Sequence, residues 1–139
     1  MRTTKNNSYS SQTILDALVI KGGSGFVGIG TTSPDQRLTV NGTIHATEVK
    51  VTSAVPGPDY VFEKSYNLLS LDEVKSYIDE NKHLPEVPSA KEMEKNGINV
   101  SEMNMVLLKK VEELTLYIIE QKNELQILKN EVSKLQSQN

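Results

Sequence analysis

From Leu107 to Leu135 the chain places an apolar residue every third or fourth position, and this spacing restricts its fold more than any other feature. Leu107, Val111, Leu114, Ile118, Leu125, Leu128, Val132 and Leu135 follow alternating steps of four and three, with Gln121 as the one polar member. In a heptad, Val111, Ile118, Leu125 and Val132 take position a, and Leu107, Leu114, Gln121, Leu128 and Leu135 take position d. A helix over 101–135 would be a rod of roughly 50 Å, longer than a domain of this size can bury against itself. Its a/d seam therefore predicts partner helices, most simply further copies of the chain.

The seam also carries orientation and register signals. Glu124 at position g stands five residues before Lys129 at position e, the offset that pairs charges across a parallel interface. Gln121 at a core position is the kind of residue that fixes register at some cost in stability. Val and Ile at a with Leu at d lean towards two strands. Met103 and Tyr117 at g and Leu108 at e widen the apolar face and point to three, with a dimer as the alternative.

Upstream, the pattern divides the chain. Residues 1–12 read as a polar, flexible lead-in and 13–57 as a β-rich stalk segment. Residues 58–100 form a small mixed helical module, and 101–139 the oligomerisation helix. In the β-rich part, Leu18-x-Ile20-x-Gly22 recurs as Leu38-x-Val40-x-Gly42, with a further strand expected across Phe26 to Thr31. Asn41-Gly42 reads as a hairpin turn leading to a strand through Ile44 and Ala46. Pro56-Gly57-Pro58 marks a module boundary. Beyond it, Ser70 with Glu73 and Ser89 with Glu92 are capping boxes, Gly97 is a helix stop, and Ser101 is the expected N-cap of the rod. The apolar residues Leu108, Leu116 and Ile119 lie off the seam, which predicts that the module docks there through Leu68, Val74, Ile78 or Leu84.

Composition narrows the functional classes. The formal net charge of -3 and the lack of a one-signed basic stripe argue against nucleic acid. No run approaches membrane-spanning length, and without cysteine neither a disulfide framework nor a thiolate metal site is available. Gly23-Ser24-Gly25-Phe26-Val27-Gly28 matches the dinucleotide pattern, but Ile29 to Pro34 cannot open the helix that a pyrophosphate site needs. His45 in a strand and His83 at a helix exit have no partners at ligand spacing, and the acidic residues around Asp72 and Asp79 read as a solvated helix face. No catalytic, cofactor or metal residues are assigned, and the chain is read as a non-enzyme.

Val27-Gly28-Ile29-Gly30-Thr31-Thr32-Ser33-Pro34 followed by Arg37 to Ile44 resembles a stretch common in bacteriophage tail fibres and bacterial fibre-like surface proteins. Asp59-Tyr60-Val61-Phe62 and His83 to Ser89 resemble phrases of the module and coiled coil that usually end such chains. The likeness spans residues 27–135. It implies an α+β chain with intertwined short strands, a small helical module and a long trimeric coiled-coil helix, in an extracellular or virion-associated homotrimer. Many such fibres carry an endosialidase-type intramolecular chaperone that trimerises and then cuts itself off. Its Ser-Asp-x-Arg motif has no counterpart here. The expected function is thus a structural and assembly module at the C-terminal end of a trimeric fibre or adhesin, driving trimerisation and register. The alternatives are a self-cleaving chaperone, and a tip binding a host receptor or glycan through Tyr9, Tyr60 and Tyr66.

Overall fold

The structure, a computed structural model, describes residues 17–52 and 57–137. The expected lead-in, the first residues of the β-rich segment, Tyr9 and Pro56 lie outside the described residues. The described residues are α+β, with a three-stranded sheet and three α-helices, the last of them long. It divides into two compact units, residues 1–50 and 51–139.

In the first unit, β1 (Leu18–Ile20), β2 (Val27–Ile29) and β3 (Leu38–Val40) lie in that order, β1 antiparallel and β3 parallel to β2. The turn from β1 to β2 uses Gly25 at φ +68, where its N–H donates to the Lys21 carbonyl and Lys21 N–H donates to Phe26. The nucleotide-like glycine run is therefore a hairpin turn continuing into a strand. Leu18 stands opposite Ile29 and Ile20 opposite Val27, while Val27 and Ile29 pair with Leu38 and Val40. Because side chains alternate along a strand, all six share one face. Leu18, Ile20, Ile29 and Leu38 are exposed on it.

The other face is filled by the chain's own loop. Gly28 is buried there, and a Cβ on it would lie 2.4 Å from the Thr31 carbonyl oxygen. Asp35 and Thr39 close that loop through reciprocal hydrogen bonds of 3.2 and 2.8 Å. The expected hairpin at Asn41-Gly42 is not formed, and 43–46, His45 included, is not a strand. The backbone N–H of Asn41 instead donates to Ile29 and its side-chain amide to Gly30, extending the parallel β2–β3 ladder and leaving no turn for a returning strand.

The second unit begins with a 3₁₀ turn, Asp59–Phe62, followed by α1 (Leu71–Asn81), α2 (Ala90–Asn96) and α3 (Val100–Gln136). Both capping boxes form: Ser70 and Ser89 accept from the N–H of Glu73 and Glu92, whose carboxylates return to the cap N–H at 2.8 Å. Gly97, at φ +74, closes α2. The cap of α3 is Asn99 in place of Ser101, and it makes no side-chain cap bond. Between α1 and α2, Leu84 to Val87 form a turn around the buried Pro85, with Glu86 held at φ +67.

Among the described residues Val61, 1% exposed, is the single fully buried large side chain. Chains of this length ordinarily bury about two thirds of their unfolded surface around a shared core. The described residues of one copy do not contain such a core.

Candidate oligomerisation surface

The 37 residues of α3 form a helix of about 55 Å. Every apolar a and d residue named above is exposed in the single chain, by 47% at Leu107 up to 66% at Leu125. Gln121 is exposed among them. The nine residues therefore line one continuous, uncovered stripe. On a helix, positions b, c and f lie diametrically opposite a and d. Over the first five turns the helical module sits on that side and reaches round to the g residues Lys110 and Tyr117.

Polar groups tie the module to the rod. Lys109 and Lys110 reach Glu86 at 2.5 and 2.9 Å, and Lys110 also reaches Glu113 at 2.8 Å. Tyr66 donates its hydroxyl to Glu113, and Tyr117 donates to the Leu69 carbonyl at 2.5 Å. The Lys109 ammonium stands 5.7 Å from the ring centres of both Tyr60 and Tyr66, which lie tilted 6.0 Å apart. The 3₁₀ turn packs Val61 against the same side of α3. Glu112 is drawn into this contact, 9% exposed, with Oε2 lacking a hydrogen-bond partner.

These contacts set the charge states. Burial works to raise the Glu86 carboxyl, but the hydrogen bonds and charges of Lys109 and Lys110 outweigh it and hold it below the usual range. Burial likewise works to lower both lysines, and the bonds to Glu86 and Glu113 leave them raised. Desolvation, followed by the hydrogen bond and charge of Glu113, pushes Tyr66 well up. Glu86, Lys109 and Lys110 thus form a latch whose three groups are ionised at neutral pH.

The predicted docking stripe is corrected by this geometry. Leu116 is half-buried, but Leu108 and Ile119 stay 42% and 50% exposed. The ion pairs of Lys109 and Lys110, and the Lys109 ammonium beside the Tyr60 and Tyr66 rings, hold the module to the rod. The sequence signal for it was Lys109-Lys110 followed by Glu113, with Tyr60 and Tyr66 concentrated upstream. Of the residues expected to widen the seam, Leu108 remains open, whereas Tyr117 is engaged with Leu69 and Met103 is half-buried.

His83 packs edge-on against Tyr77 at 5.6 Å, and His45 is exposed. Among the described residues no group of three or more His, Asp or Glu side chains is placed to hold a metal, and no helix is long and apolar enough to cross a membrane. The tyrosine pair that served as a glycan-platform candidate is occupied by Lys109 on one side, while Tyr60 remains 48% exposed. Compared with protein-family models, curated sequences and solved structures, the chain finds no match.

Proposed function

We propose that this chain is a non-enzymatic self-association module of a fibre-like homotrimer, extracellular or carried on a virion, in which α3 draws copies together and sets their register. One observation carries the reading: a seam running from Leu107 to Leu135 is open to water along its whole length, while the chain's own module half-covers the other side of the helix over its first five turns. A surface helix of a finished domain has the reverse arrangement, with its apolar stripe inward.

Magnitude supports the reading. Burying a Leu or Ile side chain completely is worth about 1.5–3 kcal/mol, so covering the exposed half of eight such residues yields roughly 10 kcal/mol per copy. That is enough to offset the loss of translational and rotational freedom on association. The open apolar face of the three-stranded sheet, with Leu18, Ile20, Ile29 and Leu38 in water, gives the upstream unit the same need for cover. Helices that hold the copies together raise the local concentration of their strands, which favours slow, non-local pairing.

Parallel alignment follows from charge. An antiparallel pair would set the e residues Lys122 and Lys129 against one another, whereas a parallel one sets Glu124 against Lys129. Leu108 at position e extends the open stripe beyond a two-chain seam, which favours three chains over two. The test is the solution mass by light scattering across a dilution series. Three chain masses are expected at micromolar concentration, two would correct the chain number, and a lone monomer at all concentrations would remove the proposal.

A further inference from the structure

The two flanks of the seam carry opposite charge. On the g flank, a groove of about 420 Å³ opens between α3 and the segment leading into α1, and it is lined by Leu69, Leu71, Glu73, Tyr117, Glu120 and Glu124. The Tyr117 hydroxyl bonded to the Leu69 carbonyl fixes one wall of it. On the e flank, Lys122 and Lys129 border a shallower recess beside Ile118 and Leu125. Gln121 lies in both recesses, so the two flanks meet across a single seam residue. Among the described residues, Glu120, Glu124, Lys122 and Lys129 form no salt bridge within the chain.

We infer that the groove between Leu69–Glu73 and α3 is a socket for Lys122 of the partner subunit, so that each chain's helical module, together with its rod, grips the next chain. The inference rests on the self-association reading. In parallel, in-register helices a g residue faces the e residue five positions further along the neighbour. Tyr117 then stands beside the partner's Lys122, and Glu124 beside the partner's Lys129. A lysine fits this socket because its stem lies along Leu69, Leu71 and the Tyr117 ring while its ammonium reaches Glu73 and Glu120. Acidic flank meets basic flank head to tail around the axis, a contact that closes into a ring. The module thereby reads the neighbour's register as well as covering its own rod.

Charge exchange tests the contact in the full chain, with helicity checked by circular dichroism and mass by light scattering in low salt. Glu120→Lys with Glu124→Lys gives two basic flanks, and Lys122→Glu with Lys129→Glu gives two acidic ones. Each pair should weaken association at least tenfold, and all four substitutions in one chain should restore it to within a few-fold. If either pair associates like the unaltered chain, or the fourfold exchange fails to restore it, the opposed-flank contact is wrong. The socket itself is probed by Leu71→Cys with Lys122→Cys, using a short thiol cross-linker on a chain that has no other cysteine. The two sites lie on opposite flanks of one rod, so covalent products joining separate copies are expected. An associating chain that gives no intersubunit product overturns the socket. An unaltered chain that stays monomeric instead overturns the self-association reading beneath it.

Discussion

Ile118 and Ile127 offer a controlled comparison, because in a single chain they are almost indistinguishable. Both lie within α3, and they are 56% and 58% exposed. Replacing either by Ala therefore costs an isolated chain the same small amount and slightly favours the helix. Association separates them, because Ile118 occupies position a and Ile127 position c on the outer side. Removing a buried Ile side chain costs about 2–5 kcal/mol, so three copies of Ile118→Ala lose at least about 6 kcal/mol per trimer. At 1.4 kcal/mol per tenfold, that raises the trimer dissociation constant by about four orders of magnitude. Since this constant scales as concentration squared, the midpoint of assembly moves by about a hundredfold. Sedimentation equilibrium over a dilution series reads that midpoint directly. Ile127→Ala should leave it within a few-fold of the unaltered chain. Equal midpoints for the two variants would show that the seam is not buried between copies, and would refute the argument.

The latch and the sheet supply the remaining expectations. Glu86 is held ionised by Lys109 and Lys110, so its contribution is fully present above the ordinary carboxylate value of about 4.3 and is lost as pH falls through its lower folded value. Acid titration followed by tyrosine near-ultraviolet dichroism should show the module loosening below that pH, and Glu86→Gln should loosen it already at neutral pH. Glu112 hides an unpartnered carboxylate oxygen, so Glu112→Met should raise urea stability by on the order of 1 kcal/mol, and a loss would reveal an unseen partner. Gly28→Ala places a methyl 2.4 Å from the Thr31 carbonyl oxygen, which forces the loop to shift and should destabilise the sheet by about 1–3 kcal/mol, read as faster amide exchange at Val27 and Ile29.

Much of the local structure was legible because the signals that define it are local. Ser70 with Glu73 and Ser89 with Glu92 each determine a helix start within four residues, and the structure forms both boxes. The long helix was equally plain from its period. The hairpin at Asn41-Gly42 misled because turn chemistry describes permission rather than use. Asn41 tolerates a turn, but its N–H and amide are taken by Ile29 and Gly30 on a strand it follows by more than ten residues. The docking face of the rod was hidden for a related reason. Apolar periodicity marks aliphatic stripes, whereas Lys109, Lys110 and Glu113 bind the module through charge and ring contacts that leave no hydrophobic period. Glu86 was invisible too, since nothing in Leu84 to Pro88 shows that a non-glycine residue will occupy a left-handed conformation.

The module's placement bears on specificity as much as on stability. A bare rod with the seam on one side and Met105, Val106, Leu116, Ile119 and Ile127 elsewhere would offer several apolar stripes, and a helix apolar on more than one side can associate in several registers. Docking through Lys109, Lys110, Glu113 and Tyr117 half-covers the outer side over its first five turns, where Met105, Val106 and Leu116 lie. Below Tyr117 the outer side is polar apart from Ile119 and Ile127, and no module is needed there. What remains open along the full length is a single stripe, bordered on one flank by Glu120 and Glu124 and on the other by Lys122 and Lys129. A single stripe with unlike borders favours one orientation, so covering the outer side restricts which pairings of the seam can form.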